Sequence, residues 1–284
     1  MLGLDPDPAA LWPVALEAAG QDGEPAAETA AAVARHCRAV IDAAGEHCVA
    51  VKLQLACFER LGAAGWAALA DARAAAREHG LLAIADGKRG DVPITARAYA
   101  QALVGETPGP FGSVPGLGAD AFTANPLLGR DSLEPLVDAA REAGAGCFCL
   151  VRTSNPGAAD IQDLPTVGGP LHEQLALLVN LLGAGSIAAC GLSSVGAVTG
   201  ATEPGHLERL RRLMPRAVFL LPGVGAQGGA VEALAPAFEP HPAAGLVAAS
   251  RSIVGAHHER GGDPAAAASA AAGELRSATW RLVA

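Results

Sequence analysis

The strongest candidates for chemistry lie in one short segment, Asp86-Gly87-Lys88-Arg89-Gly90-Asp91, which follows an apolar run that predicts a strand. Asp86 and Lys88 are two residues apart, so on an extended strand their side chains leave the same face. The only other lysine, Lys52, ends a second apolar run. Lysine can donate a proton, whereas arginine in a protein keeps its proton. Ammoniums and carboxylates at neighbouring strand ends therefore indicate proton-transfer chemistry, with a purely structural ion-pair network as the alternative.

The elements that must position these residues are eight short apolar runs, which alternate with amphipathic or alanine-rich stretches. The predicted strands cover residues 1–4, 48–53, 81–85, 119–123, 146–151, 194–199, 217–221 and 245–249. The predicted helices cover 26–44, 65–79, 92–104, 131–143, 170–183, 203–213, 228–235 and 264–280. Strict alternation predicts a parallel sheet, and eight units are the number that closes a (β/α)8 TIM barrel. We expect an α/β protein with a single barrel domain over residues 1–284; an open doubly wound sheet is the alternative.

Polar and glycine-rich residues follow the predicted strands, which in a barrel is the end that carries active sites. The glycine-rich segment 222–229 and the pair Ser250-Arg251 follow the last two strands. Backbone N–H groups and a fork-shaped guanidinium both bind anions, so these segments together predict a phosphate site. The Pro/Gly-rich segments 105–118 and 155–169 are predicted to be long loops, and loops of that length are often functional lids.

Composition limits the partners of the chain. A formal net charge of −9 and a pI near 5.3 argue against a nucleic-acid surface. No apolar run reaches the length that a membrane helix needs. The six cysteines lack the spacing of a zinc or thioredoxin-type site, so we expect free thiols in a reducing cytoplasm.

The pattern Asp-x-Lys-x-x-Asp-Val-Pro-x-Thr over residues 86–95 resembles the signature of the orotidine 5′-monophosphate decarboxylase family. Further blocks match the longer bacterial members of that family in order: Gly3-Leu4-Asp5-Pro6, Lys52-Leu53-Gln54, Asn125-Pro126-Leu127-Leu128-Gly129, Arg152-Thr153-Ser154-Asn155-Pro156-Gly157, Gly200-Ala201-Thr202, residues 222–229 and Ser250-Arg251. The resemblance implies a homodimer of (β/α)8 barrels that converts orotidine 5′-monophosphate to uridine 5′-monophosphate and CO2. It also implies that neither a metal nor an organic cofactor takes part.

The resemblance implies roles at the reacting end of the substrate. Lys88 would protonate C6 of the orotate ring as the carboxylate departs, and Asp86 would lie beside that carboxylate. Lys52 would pair with Asp86 and reach a ribose hydroxyl. Asp91 and Thr95 would cross the dimer interface into the partner's site. A fixed ammonium stabilises a developing carbanion, and we expect Asp86 and Asp91 to keep Lys88 protonated in a buried site.

The resemblance also implies contacts to the rest of the substrate. Asp5 would bind the ribose and Ser154 the pyrimidine, with the loop after Ser154 acting as a lid. The implied contacts at the phosphate end are Gln227, Gly228, Ser250 and Arg251. Asn125 has two interpretations: it contacts the substrate, or it caps a turn before Pro126. Family members usually have more residues before the Gly-x-Asp-Pro strand, so we expect either that the start is truncated or that the first strand is short and lacks its cover at the bottom of the barrel.

Two other functions compete with this interpretation. A metal-dependent sugar-phosphate decarboxylase or aldolase on the same barrel has a similar Asp-x-Lys-x-x-Asp strand, but it carries an acidic metal ligand where this chain has Lys52. A cation at that place would repel Mg²⁺. The second alternative is a catalytically dead phosphate-binding or regulatory protein, against which the complete set Lys52, Asp86, Lys88 and Asp91 argues.

Overall fold

The computed structural model describes residues 1–17, 23–201, 204–225 and 229–283. Its strands are β1 (Leu2–Leu4), β2 (Ala50–Gln54), β3 (Leu82–Arg89), β4 (Glu106–Gly109), β5 (Gly112–Pro115), β6 (Ala121–Ala124), β7 (Gly146–Arg152), β8 (Pro165–Thr166), β9 (Gly169–Pro170), β10 (Ser193–Thr199), β11 (Ala217–Leu221) and β12 (Gly245–Val247). Its α-helices are α1 (Pro13–Leu16), α2 (Pro25–Ala44), α3 (Leu55–Glu59), α4 (Gly62–Glu78), α5 (Pro93–Leu103), α6 (Arg130–Glu142), α7 (Ala158–Ile161), α8 (Leu171–Gly183), α9 (Pro204–Leu213), α10 (Arg251–Val254), α11 (Ala256–Arg260) and α12 (Pro264–Trp280).

The predicted strands form one eight-stranded sheet in the order β1-β2-β3-β6-β7-β10-β11-β12. The chain divides into two compact units, one made of Met1–Gly87 with Ala249–Ser277 and the other of Lys88–Ala248 with Ala278–Ala284. In the first unit, β2 pairs in parallel with β1 and with β3. In the second unit, β6, β7, β10, β11 and β12 pair in parallel in that order. The prediction of a parallel α/β sheet is confirmed.

The first strand has a second neighbour within the first unit. The N–H of Gly3 donates to the carbonyl oxygen of Ala249 at 2.7 Å, and Leu2 forms a parallel bridge with Ala249. Ala249 follows β12 by two residues, so the chain just beyond the last strand runs beside the first. The closed barrel and the single domain stay predictions.

The packing of α2 gives the first unit much of its core. Val33, Cys37, Val40 and Ile41 are fully buried at the spacing of one helix face, and α2 packs against α4. The same helix carries the buried His36, whose Nδ1 accepts the N–H of Trp12 at 3.1 Å. Burial, with a smaller contribution from His257, lowers the pKa of His36 to about 4.

Both segments predicted as loops contain secondary structure. Residues 105–118 include the antiparallel hairpin β4–β5, and residues 155–169 include α7 and the short strand β8, which pairs with β9. Gly112 and Gly169 have φ of 118° and 117°, a conformation that favours glycine and lets each hairpin turn. The strands β4 and β5 are exposed and lack the alternation of apolar and polar residues that identifies a half-buried strand. For this reason their sequence predicted a loop.

The helix predicted over 228–235 is helical in part of its described residues, but it is not an α-helix. The described residues there form a 3-10 helix, Val231–Phe238, instead. Pro236 lies inside it, and in a regular α-helix the ring of this proline would clash with the carbonyl of Glu232. The other seven predicted helices correspond to α2, α4, α5, α6, α8, α9 and α12. No helix in the described ranges is long and apolar enough to cross a membrane.

Candidate active site

A buried ion pair lies at the carboxyl ends of the strands of the first unit. The Nζ of Lys52 donates to Asp86 Oδ2 at 2.7 Å and to Asp5 Oδ1 at 3.4 Å. Lys52 and Asp86 are only 8% and 5% exposed. Parallel pairing aligns β1, β2 and β3, which brings the three side chains to one edge. Buried charges are costly unless paired, so each group here depends on the others for its ionised form.

The charge state of Lys52 follows from two opposing effects. Burial disfavours the ammonium, but the attraction of Asp86 and then of Asp5 outweighs it, so the pKa of Lys52 is raised above its ordinary value. Gln54 also donates to Asp86, from Nε2 to Oδ2 at 3.4 Å. Lys52 is therefore positively charged at neutral pH.

Lys88 has an unusual backbone. Its φ is +48°, and among the described residues it is the only non-glycine with positive φ. The N–H of Lys88 donates to Thr123 Oγ1 of β6 at 2.8 Å. The strand alternation that predicted a common face for Asp86 and Lys88 assumes extended backbone, so it does not hold at Lys88. The expected buried setting is also wrong for the single chain, since Asp86 is buried whereas Lys88 is exposed.

Asp91 and Thr95 lie at the start of α5 in the second unit. Asp91 Oδ1 accepts the N–H of Val92 at 2.7 Å, and the Ser132 hydroxyl donates to the Asp91 carbonyl oxygen. Pro93 opens α5 in the first turn, as predicted, and Thr95 is exposed in that turn. A network that joins Asp91 and Lys88 to the buried pair of the first unit stays a prediction.

Ser154 follows β7, and two sets of side-chain hydrogen bonds fix the chain around it. Arg152 donates two hydrogen bonds to Asp163, from Nε to Oδ1 at 2.9 Å and from Nη2 to Oδ2 at 3.0 Å. The N–H of Thr153 donates to Gln162 Oε1 at 2.8 Å, and Gln162 Nε2 donates back to Thr153 Oγ1 at 2.9 Å. We call these four residues the β7 clamp. The clamp closes a loop over residues 153–163 and anchors both of its ends beside half-buried Ser154.

Close packing restricts Ser154 from a second side. A Cβ on Gly200 would lie 2.8 Å from the N and Cα atoms of Ser154. Only glycine allows the end of β10 to approach the backbone of Ser154 this closely. Close packing within the second unit therefore explains why this position is Gly200.

One cluster in the described part of the chain has residue types that can bind a metal ion. Asp163, His172 and His206 each offer one ligand atom, and these atoms lie within 4.8 Å of one another. Arg152 already holds both oxygens of Asp163, and these hydrogen bonds lower the pKa of Asp163. His172 Nδ1 lies 3.1 Å from Asp163 Oδ1. A cation there would face the guanidinium, so we interpret the cluster as a charged network that supports the clamp; the expectation of no metal stays a prediction.

The described glycines after β11 have turn conformations and lie close to one another. Gly223 and Gly225 have φ of 101° and 73°, and the N–H of Gly229 donates to the carbonyl oxygen of Gly223 at 3.1 Å. A Cβ on Gly229 would lie 2.8 Å from that same oxygen. Gln227 and Gly228, the implied phosphate contacts in this part of the chain, lie outside the described residues.

In the first unit, Ser250 and Arg251 open the short helix α10, with Arg251 exposed and Ser250 half-buried. A Cβ on Gly3 would lie 2.9 Å from the Cβ of Ser250, so β1 passes directly beside this turn. In the second unit, Asn125 Oδ1 accepts the N–H of Leu127 at 3.0 Å. That contact is an Asx-turn, so Asn125 has the turn-capping role that was one of its two interpretations.

Sequence reasoning missed Thr123, Gln162 and Asp163. Thr123 is fully buried in β6, and a threonine in an apolar strand is typical of strand composition. Its contact with Lys88 joins residues 35 apart in the chain, and no local pattern indicates such a contact. Gln162 and Asp163 lie in a segment predicted as loop, where polar residues are expected on general grounds.

The fold and these residues together define a class: an α/β protein with an eight-stranded sheet and, in its first unit, a buried ion pair at the carboxyl ends of parallel strands. The family model described as "Orotidine 5'-phosphate decarboxylase / HUMPS family" matches residues 2–271. The chain belongs to this family.

Individual relatives agree with the family assignment. The chain is 43% identical over 231 residues to a Rhodopirellula baltica protein named orotidine 5′-phosphate decarboxylase, covering 80% of this chain and 74% of that protein. It is 44% identical over 233 residues to a Deinococcus radiodurans protein of the same name, covering 82% and 79%. A solved structure titled as Leishmania donovani OMP decarboxylase is 31% identical, with a TM-score of 0.72 and coverage of 98% and 93%.

Proposed function

We propose that this chain is an orotidine 5′-monophosphate decarboxylase, which releases CO2 from C6 of the orotate ring and leaves uridine 5′-monophosphate. Its family membership and the names of its relatives support this reaction. The observation that carries the proposal within the molecule is the buried pair of Lys52 with Asp86, next to a strand end that bears Lys88.

The same pair argues against a metal-dependent reaction. The competing sugar-phosphate enzymes need an acidic ligand where this chain has Lys52. Lys52 is buried, its pKa is raised, and its ammonium is bonded to Asp86 and Asp5. A divalent cation beside it would meet a fixed positive charge of the same sign. We therefore infer that the reaction needs no metal, and the family resemblance leads us to propose that it needs no organic cofactor either.

In the proposed mechanism the C6–carboxylate bond breaks, CO2 leaves, and the electron pair of that bond stays on C6. The ammonium of Lys88 stabilises this charge and transfers a proton to C6, after which the neutral amine regains a proton from solvent. A preorganised charge in a dry site is effective because nothing must reorient during the reaction. Asp86 lies beside the departing carboxylate, and Lys52 holds Asp86 in place and reaches a ribose hydroxyl.

Binding of the remote parts of the substrate contributes to the rate. Contacts far from the reacting carbon help to position C6 and desolvate it. In this proposal Asp5 binds the ribose, Ser154 the pyrimidine, and the phosphate is bound by Gln227, Gly228, Ser250 and Arg251. The glycine-rich sequence after β11, in which Gly223 and Gly225 have positive φ, supports a phosphate site, because turns of this kind occur where a backbone approaches an anion closely.

We further propose that the sheet closes into a (β/α)8 barrel and that two barrels form a homodimer in the cytoplasm. The hydrogen bond from Gly3 to Ala249, beside β1, supports closure. Val92 and Ile94 support an interface next to Asp91 and Thr95, because these apolar side chains are 55% and 89% exposed in the single chain. Across that interface Asp91 and Thr95 would complete the partner's site.

The deciding experiment is to incubate the purified protein with orotidine 5′-monophosphate in excess EDTA and to follow the orotate absorbance. Rapid loss of absorbance is the expected result, and it would separate this function from a metal-dependent enzyme and from a binding protein. If a folded, dimeric protein left the absorbance unchanged, the proposed function would be wrong.

A further inference from the structure

The backbone of Lys88 needs a restraint. Its φ of +48° is unfavourable for any residue with a Cβ, and lysine has no special tendency to adopt it. Such conformations persist where the surrounding structure enforces them, and they cluster at functional sites. The direction in which the Lys88 side chain leaves β3 depends on this conformation, so whatever holds it also sets the position of the ammonium.

The side chain of Thr123 is placed to supply that restraint. Thr123 is fully buried in β6, so its hydroxyl cannot exchange its partners for water. Its Oγ1 accepts the N–H of Lys88 at 2.8 Å, directly at the strained residue. One residue further along, the N–H of Asn125 donates to the carbonyl oxygen of Arg89 at 2.8 Å. These two bonds tie the end of β3 to β6 on both sides of the Lys88–Arg89 peptide bond.

Close packing keeps these two chain segments from separating. A Cβ on Gly90 would lie 2.8 Å from the carbonyl oxygen of Asn125 and 3.3 Å from its Cβ. The chain after Lys88 is thus held against the end of β6, and the left-handed residue lies in a stretch that has little freedom to relax. The one element of this arrangement that a conservative substitution can remove is the Thr123 hydroxyl.

We propose that Thr123 is a positioning residue for the reaction: its buried hydroxyl holds Lys88 in the left-handed conformation that delivers the ammonium to C6. This inference rests on the proposed role of Lys88 as proton donor. A proton donor must lie within hydrogen-bond reach of the atom it protonates, and a displacement of about 1 Å can cost roughly a hundredfold in rate. Thr123 does not touch the substrate; it acts through Lys88.

The test compares Thr123→Val, which keeps the shape and removes the hydroxyl, with Thr123→Ser, which keeps the hydroxyl. We expect Thr123→Val to lower kcat by roughly 10- to 100-fold with KM changed by less than about threefold, and Thr123→Ser to retain most of the activity. Thr199→Val is the matched control, because Thr199 is also fully buried near a strand end and its hydroxyl has no hydrogen-bond partner among the described residues. The control should keep wild-type kcat.

A crystal structure of Thr123→Val provides a readout that does not depend on turnover. We expect φ of Lys88 to move to a negative value in that variant. An unchanged φ, an unchanged kcat, or an equal loss of kcat in Thr123→Ser or Thr199→Val would each overturn the proposal. Wild-type protein that does not decarboxylate orotidine 5′-monophosphate would refute the proposed function instead, while φ of Lys88 in the variant would still decide whether Thr123 holds the backbone.

Discussion

At the scale of single residues, the two lysines have different surroundings although both stand near strand ends. Lys52 is buried, paired with Asp86 and Asp5, and its raised pKa keeps it charged. Lys88 is exposed in the single chain and has a strained backbone. A proton donor must regain its proton after each turnover, and the exposure of Lys88 is compatible with that proposed role. The structure thus separates a buried, paired lysine from an exposed one.

Replacing Lys88 by arginine tests the acid directly. Arginine keeps the positive charge but cannot release its proton. We expect Lys88→Arg to bind substrate with KM within about threefold and to lose roughly 10²- to 10⁴-fold in kcat, the usual contribution of a general acid. Steady-state kinetics measure both constants, with the exposed Arg97→Lys as the control. Activity above about a tenth of wild type would rule out the proton-donor role.

At the scale of elements, the predicted strands agree with the structure because a strand covered on both faces leaves a continuous apolar run. β6 and β11 are examples, with every residue of β6 buried. The hairpin β4–β5 lies at the surface, has no buried face, and gave no such pattern. The β7 clamp was not predictable either, because the bonds from Arg152 to Asp163 depend on how the intervening loop folds back.

Weakening the β7 clamp should affect substrate binding more than the chemical step. Asp163→Asn keeps the size of the side chain but cannot form two charged hydrogen bonds with Arg152. The loop beside Ser154 would then be less well ordered, and we expect kcat/KM to fall roughly tenfold, mainly through KM. Steady-state kinetics test this.

The matched control for the clamp variant is Glu142→Gln, which breaks the exposed ion pair between Arg97 and Glu142 at 3.2 Å. Exposed pairs contribute little, so this control should behave like wild type. Equal kinetics for Asp163→Asn and wild type would show that the clamp does not position Ser154.

At the scale of the whole molecule, acid should destabilise the fold through His36. The pKa of this histidine is about 4 in the folded chain, against an ordinary value near 6.5. Between these values the unfolded state binds more protons, so the free energy of unfolding falls as pH drops from 6.5 towards 4. The part due to His36 is about 2 kcal/mol between pH 7 and pH 5.

Denaturant unfolding at the two pH values measures this loss. His36→Asn should remove about 2 kcal/mol of the pH dependence, because asparagine can still accept the N–H of Trp12 but does not titrate in this range. An equal pH dependence in His36→Asn and wild type would contradict the assignment.

The proposed dimer predicts that two inactive variants can restore activity together. If Asp91 serves the partner's site, a heterodimer of Lys88→Ala and Asp91→Ala chains contains one intact site and one doubly damaged site. Random reassembly of an equal mixture should then recover about a quarter of wild-type activity, because half of the dimers are mixed and each has one working site. The two homodimeric variants, assayed alone, are the controls. No recovery after verified subunit exchange would place Asp91 in its own chain's site.

The left-handed backbone of Lys88 has a consequence for laboratory evolution. Glycine adopts a φ of +48° without penalty, so Lys88→Gly should be among the substitutions that raise the melting temperature. The same substitution deletes the candidate acid. A library screened for heat tolerance alone would therefore select glycine at position 88, which gives a more stable protein without its candidate acid. Selection for thermostability in this protein therefore needs a turnover assay in every round.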